Sequence, residues 1–318
     1  MARVLVTGGA GFLGSTVVRE LAARDDVELV VAGDLRVRDQ PRSGVLDVLC
    51  DVTDAEAIEP LLREHDIDVV VHLAAIVNPG RDTDLEYRVD VIGSENVVRA
   101  CQRAGVRRIV VSSSGAAYGY HADNPVWITE DTPVRGNDEF PYSKHKRLVE
   151  EMLATSRQTH PELEQVVFRI GTILGPDVAN QITALWDGKR ILAVRGSDSP
   201  FVFVWVDDVA RAMVRAATGG PAGIYNVAGD GALTVAQIAE RLGKPRLAVP
   251  APVLAAGLWI ARALGLTPHG PAQVRFLRYR PVLANDRLKD VFGYIPAYTS
   301  AQCFEAYLES HPSVARTR

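Results

Sequence analysis

The sequence predicts an α/β fold, a doubly wound parallel sheet joined to a smaller, discontinuous C-terminal domain. Three observations lead there. An apolar strand-like run near the N-terminus passes through a glycine-rich turn into a helix with one apolar face. Strand-like and helical stretches then alternate, the pattern of a parallel sheet covered by helices on both sides. After Gly175-Pro176 the alternation breaks, returns over Val202–Gly219 and Gly223–Ala228, and breaks again at Thr234. Residues 1–175 and 201–229 are therefore assigned to a dinucleotide-binding sheet domain. Residues 176–200 and 230–318 are assigned to a substrate domain folding over the carboxyl ends of the strands, where open α/β sheets bind ligands.

The first strand, Arg3–Thr7, leads into Gly8-Gly-Ala-Gly-Phe-Leu-Gly14, and Val17, Val18 and Leu21 then share one helical face. Gly8, Gly11 and Gly14 permit the tight turn, the approach of backbone to a pyrophosphate and close packing of helix on sheet, with Phe12 and Leu13 carried in the same turn. The helix N-terminus faces the anion. The second strand, Glu28–Asp34, ends in a carboxylate placed to accept from an adenosine ribose 2′-hydroxyl. Asp34 favours NAD, while Arg36 and Arg38, just past Leu35, make NADP the alternative. Strands follow at Val45–Asp51, Asp68–Ala74, Arg108–Ser114 and Gln165–Gly171, with helices over Asp54–His65 and Leu85–Ala104.

Tyr142 and Lys146 stand four residues apart, which on a helix puts phenol and ammonium on one face. A phenol titrates near pH ~10 in water, so it exchanges protons at neutral pH only when a cation stabilises the phenolate. Lys146 is the candidate cation. The run Ile109–Ser114 ends in hydroxyls, and Ser114 is placed to hold a substrate oxygen beside the phenol. Together these groups move a proton on and off an alcohol or ketone, a reaction that needs the hydride carrier the N-terminal glycine turn is suited to bind. His72, alone at a strand end, is read as structural.

With these residues the chain resembles the short-chain dehydrogenase/reductase superfamily in its extended form, the epimerase/dehydratase-like branch with a Rossmann-type sheet. The resemblance runs through Thr7–Gly14, His72-Leu-Ala-Ala75, Ser112-Ser-Ser-Gly-Ala-Ala-Tyr-Gly119, Tyr142 with Lys146, Arg169–Pro176, Val206-Asp-Asp-Val209 and Asn285-Asp-Arg-Leu-Lys, in the family's order. It implies that Ser114, Tyr142 and Lys146 are catalytic and that Asp51 and Val52 lie by the adenine. It also implies that Leu35, Arg36, Leu73, Ala74, Ala75, Ser112, Tyr142, Lys146, Ile170 and Gly171 line the cofactor, Lys146 holding the nicotinamide ribose. A homodimer packed through Leu85–Ala104 and the helix reaching Glu150-Glu-Met-Leu is implied by the same resemblance. Asp90 stands where related enzymes usually carry an asparagine, which puts their proton relay in question here, since an ionised Asp accepts hydrogen bonds but cannot donate them.

The 318 residues are 47% hydrophobic and carry a net charge of −4, with the cations scattered, which argues against nucleic acid as a partner. Cys50, Cys101 and Cys303 are widely spaced, as expected of reduced thiols in a cytoplasmic protein, and with the first strand beginning so early no signal peptide is expected. Pro252–Leu266 is strongly apolar but short and contains Arg262, so it is expected to be a substrate-domain helix and not a membrane anchor.

Substrate class rests on the stretch before Val206-Asp-Asp. Relatives acting on nucleotide sugars usually place an arginine there, and here Phe201, Phe203 and Trp205 suggest an apolar wall, joined by Trp186 and Trp259. That favours a dehydrogenase or ketoreductase of a fairly apolar small-molecule alcohol or ketone. The alternative is a nucleotide-sugar 4-epimerase or dehydratase, for which Lys189, Arg190, Arg195, Arg275 and Arg278 are candidate diphosphate ligands. A dinucleotide-sensing protein without turnover is disfavoured, because such relatives commonly lose the Tyr/Lys pair.

Overall fold

Strand and helix alternate from the second residue: β1 (Ala2–Thr7), α1 (Phe12–Ala22), β2 (Val27–Asp34), β3 (Val45–Leu49), α2 (Ala55–Glu64), β4 (Val69–His72), α3 (Thr83–Tyr87), α4 (Gly93–Ala104), β5 (Arg108–Ser114), α5 (Pro141–Thr159) and β6 (Glu164–Ile170). The remainder runs β7 (Thr172–Leu174), β8 (Ile191–Val194), β9 (Phe203–Trp205), α6 (Val206–Thr218), β10 (Gly223–Val227), α7 (Val235–Arg241), β11 (Arg246–Val249), α8 (Ala251–Ala263), α9 (Gln273–Arg278), α10 (Asp286–Asp290) and α11 (Ser300–Ser310). The computed structural model describes residues 1–37, 42–77, 82–267 and 270–315.

Seven strands form one sheet in the order β10-β6-β5-β4-β1-β2-β3, every pair parallel. Order reverses between β1 and β4, where Thr7 lies beside His72, and this switch opens a crevice at the carboxyl edge. Parallel strands need cover on both faces, and alternation within each strand supplies two apolar surfaces. Val110 of β5 joins Val17, Leu21, Val209 and Met213 on the α1/α6 side. Its neighbours Ile109 and Val111 join Ile58, Val97, Val149 and Leu153 on the α2/α4/α5 side. The sheet is doubly wound. The thiols of Cys50, Cys101 and Cys303 are buried, and burial raises the pKa of each.

One departure from the sequence reading bears on the site. The single helix expected over Leu85–Ala104 is interrupted by a π-helical turn at Arg88–Ile92, which turns Asp90 into the interior. Gly93 follows at a point where a Cβ would come within 2.7 Å of Val52 Cγ2. Glu150, on α5, also faces the interior. It accepts from Arg169 Nη2 at 2.6 Å and from the Ser113 hydroxyl, and Arg169 also donates to the Tyr118 hydroxyl. Burial alone would disfavour that guanidinium's charge, and Glu150 outweighs it, so the Arg169 pKa is raised.

The chain outside the large sheet has an aromatic core of its own. Trp186, Phe201, Phe203, Trp205, Phe304 and Tyr307 pack with Leu174, Ile238 and Leu242. Two small parallel pairs, β7 with β9 and β8 with β11, frame it.

Candidate active site

The glycine turn has the geometry a dinucleotide needs. Gly8 holds φ of +71°, and a Cβ there would lie 2.9 Å from Ala74 N; a Cβ on Gly14 would lie 2.0 Å from Gly8 O. A Cβ on Gly11 would meet Gly8 O alone, at 3.1 Å, so the α1 N-terminus is open to an anion. Asp34 Oδ2 accepts from Ala10 N at 3.0 Å and Oδ1 from Arg36 N at 3.2 Å, so the acid fixes the turn while keeping lone pairs for a ribose hydroxyl. These residues fit a nicotinamide dinucleotide. Leu35 and Arg36 are exposed beside Asp34, and Arg38 lies outside the described residues.

Around the crevice, Leu73 N donates to Thr7 O at 3.1 Å and to the Thr7 hydroxyl at 3.3 Å, and β4 ends at His72, short of the Ala74 to which the sequence reading carried it. Asp51 Oδ1 accepts from Thr53 N and from the Thr53 hydroxyl, holding the turn that carries Val52. Ile170 and Gly171 close the opposite side at the end of β6, where a Cβ on Gly171 would lie 3.0 Å from Val202.

Tyr142 and Lys146 lie on one face of α5, with Nζ 5.6 Å from the phenol ring centroid. Lys146 is buried, and its ammonium donates to Ser112 O at 2.8 Å, tying the helix to the end of β5. Ser143, between them, donates to Ala116 O at 2.6 Å and anchors the same helix to the turn after Ser114. Ser114 Oγ accepts from Ala116 N at 3.1 Å, which leaves its hydrogen to donate outward. The Ser112 hydroxyl donates to His72 O at 3.3 Å.

His72 is structural, as its sequence context suggested. Its Nδ1 lies 2.8 Å from the Thr7 hydroxyl and its Nε2 2.9 Å from that of Ser94. Burial, reinforced by the charge of Lys146, pulls its pKa down to about 3 against the opposing pull of Asp90. The ring is neutral at physiological pH.

The apolar wall is not where the sequence placed it. Phe201, Phe203 and Trp205 are buried in the second core, Phe201 and Phe203 stacked at 5.7 Å, with Trp186 wedged against both. Trp259 sits on the outer face of α8, 65% exposed. The short β9 pairs with β7, which turns its alternating side chains into that core. Aromatic surface near Tyr142 comes from other residues. Tyr120 lies within electrostatic reach of the Tyr142 phenol and packs edge-on against Phe140 at 5.1 Å and Phe276 at 5.2 Å.

Beside this cluster stands Arg280, which sequence reasoning missed because no motif marks it. Its guanidinium lies 3.8 Å from the Phe201 ring centroid and 5.3 Å from that of Phe276, and it donates to Ser199 O at 2.7 Å. Ser199 holds φ of +28°, uncommon for a residue with a side chain. Burial pushes the Arg280 pKa down to about 9, and among the described residues it has no carboxylate partner. It is a charge in place with no anion against it. Of the cations proposed from sequence, Lys189, Arg190 and Arg195 are exposed, Arg275 pairs with Glu139 at 2.8 Å, and Arg278 lies over Tyr279.

Residues 4–228 match the model of the NAD dependent epimerase/dehydratase family. A UDP-glucose 4-epimerase of Mycolicibacterium smegmatis is 33% identical over 241 residues, which is 70% of this chain and 74% of that protein. An uncharacterized protein of Mycobacterium tuberculosis is 28% identical over 315 residues, 96% of this chain and 82% of that protein. Among solved structures, the Bordetella bronchiseptica enzyme WbmG in complex with NAD and UDP is similar with a TM-score of 0.76 at 21% identity, covering 98% of this chain and 95% of that one. UDP-glucose 4-epimerase of Thermus thermophilus in complex with NAD gives a TM-score of 0.71 at 27% identity, covering 96% and 98%.

Proposed function

The chain belongs to the NAD dependent epimerase/dehydratase family, and on that premise we propose that Tyr142, Lys146 and Ser114 interconvert a secondary alcohol and a ketone with NAD as hydride carrier. The observation that carries this reading is the placement of Lys146: its ammonium is 5.6 Å from the Tyr142 ring and is held by Ser112 O, two residues before Ser114. With the Lys146 ammonium on the same helical face, Tyr142 is the group assigned to take the hydroxyl proton of the alcohol and return it to the ketone. Ser114 donates to the substrate oxygen and orients it. NAD, when bound, supplies or accepts the hydride.

Arg280 favours a second reading of the substrate. With Phe201, Phe203 and Trp205 assigned to the core, the reason for preferring an apolar substrate weakens, and a charge held without a carboxylate is suited to a phosphate. The similarity to UDP-glucose 4-epimerases supports a nucleotide sugar, with hydride taken from and returned to one carbon so that NAD is not consumed.

The test is a thermal unfolding scan with UDP and with UDP-glucose, on wild type and Arg280→Leu, followed by chromatography of the sugar product. Stabilisation lost in the variant, and a product without net change in nicotinamide absorbance, support the epimerase reading. No stabilisation by either nucleotide, together with stoichiometric NADH formation from a simple secondary alcohol, supports net dehydrogenation.

A further inference from the structure

We infer that α8 and its cationic surroundings dock on an anionic lipid bilayer, the helix lying in the plane of the headgroups. The inward side of α8 carries half-buried Leu254 and Leu258, and its outward side is also apolar. Val253 is 60% exposed, Trp259 65% and Ile260 52%, and beyond the helix Leu264 is 67% and Leu266 75% exposed. A helix apolar on all sides is ordinarily enclosed, yet no residue of this one is buried. Five large apolar side chains in one short segment exceed the scattered exposure of a folded surface.

Charge identifies the cover. Residues 241–285 contain seven arginines and lysines and not one carboxylate. Arg241 and Arg275 pair with Glu305 and Glu139, Lys244 donates to Trp186 O, and Arg278 and Arg280 lie over the rings of Tyr279 and Phe201. Arg246, on β11 just before α8, and Arg262, within it, are exposed and form no ion pair among the described residues. A second copy of the chain seated symmetrically on this face would set these arginines against each other with no acid in the segment to neutralise them. Anionic headgroups supply the missing charge while the acyl boundary takes up Trp259, Ile260 and Leu264. Thirteen residues rise about 20 Å, short of a bilayer core, and no described helix is long and apolar enough to cross a membrane. The helix therefore lies on the surface, an arrangement the sequence reading had set aside for a packed helix.

Co-sedimentation of the full chain with vesicles tests this, using phosphatidylcholine alone and phosphatidylcholine mixed with phosphatidylglycerol, at low and high salt. The wild type should bind the anionic vesicles on the order of tenfold more tightly than the neutral ones and be released by salt. Trp259→Asp combined with Ile260→Asp should abolish binding, and Arg246→Glu combined with Arg262→Glu should abolish the anionic preference, both with unchanged circular dichroism and NAD affinity. Failure of the wild type to bind anionic vesicles overturns the inference whatever the variants do. So does binding that neither pair of substitutions alters, or a solution dimer or a complex with an acidic protein that the first pair dissolves while vesicles leave the chain in the supernatant.

Discussion

Asp90 Oδ2 stands 3.0 Å from His145 Nδ1, both side chains closed to solvent, while Asp90 Oδ1 accepts from Ile76 N at 2.8 Å. An ionised carboxylate only accepts, so the proton of this pair belongs on His145 Nδ1. One carboxylate thus joins the π-helical turn, the segment leaving β4 and the α5 residue next to Lys146.

Asp90→Asn can keep both contacts, its Oδ1 accepting from Ile76 and its Nδ2 donating to a His145 of the other tautomer, so a stability loss under about 1 kcal/mol is expected. Asp90→Ala strands Ile76 N–H and the His145 ring, and about 2–5 kcal/mol should be lost. Urea denaturation measures both, and equal losses would show that the hydrogen bonds are not what Asp90 contributes.

Asp34 holds the glycine turn through Ala10 N and keeps lone pairs for a ribose hydroxyl. Calorimetry should give tighter binding of NAD than of NADP, with Asp34→Ala weakening NAD and narrowing the gap, because a 2′-phosphate then meets no carboxylate and Arg36 is at hand. A wild-type preference for NADP would put selectivity on Arg36.

His72 is held at a pKa of about 3 in the folded chain against ~6.5 when unfolded. The unfolded chain binds the extra proton, so this contribution to stability is whole above pH ~6.5 and is lost as pH falls toward 3, at about 1.4 kcal/mol per pH unit. Between pH 7 and pH 5 the wild type should lose about 2 kcal/mol more than His72→Gln in urea titrations. A gap that stays constant with pH would mean that His72 titrates alike in the folded and unfolded chain.

The sheet was legible because its signals are local. A strand, a glycine turn, a helix with Val17, Val18 and Leu21 on one face, and an acid at Asp34 each follow from neighbours in sequence, and β5 runs over Arg108–Ser114 as expected. What escaped depends on distant partners. Phe203 and Trp205 sit where strand alternation alone leaves two sides to choose from, and pairing of β9 with β7 decides it. The π-helical turn brings Asp90 against Ile76 N and His145 Nδ1, neither partner visible from the helical period. Arg280 gains its position from Phe276 and from Ser199, residues that sequence gave no reason to join.

Lys146→Met should weaken both turnover and NAD binding, because the ammonium is assigned to the phenolate and to the end of β5 that borders the cofactor crevice. Unchanged NAD affinity by calorimetry would remove its cofactor role and leave the effect on Tyr142 alone.

Tyr142→Phe tests the account most directly. The variant keeps the ring that packs beside Lys146 and loses only the transferable proton. Turnover is to be followed by nicotinamide absorbance with secondary alcohols and by product chromatography with UDP-glucose, alongside NAD titration of the same preparation. The account predicts NAD affinity within a few-fold of wild type and turnover lower by about 10²–10⁴-fold. Wild-type turnover in Tyr142→Phe would contradict it and place the proton transfer on another group.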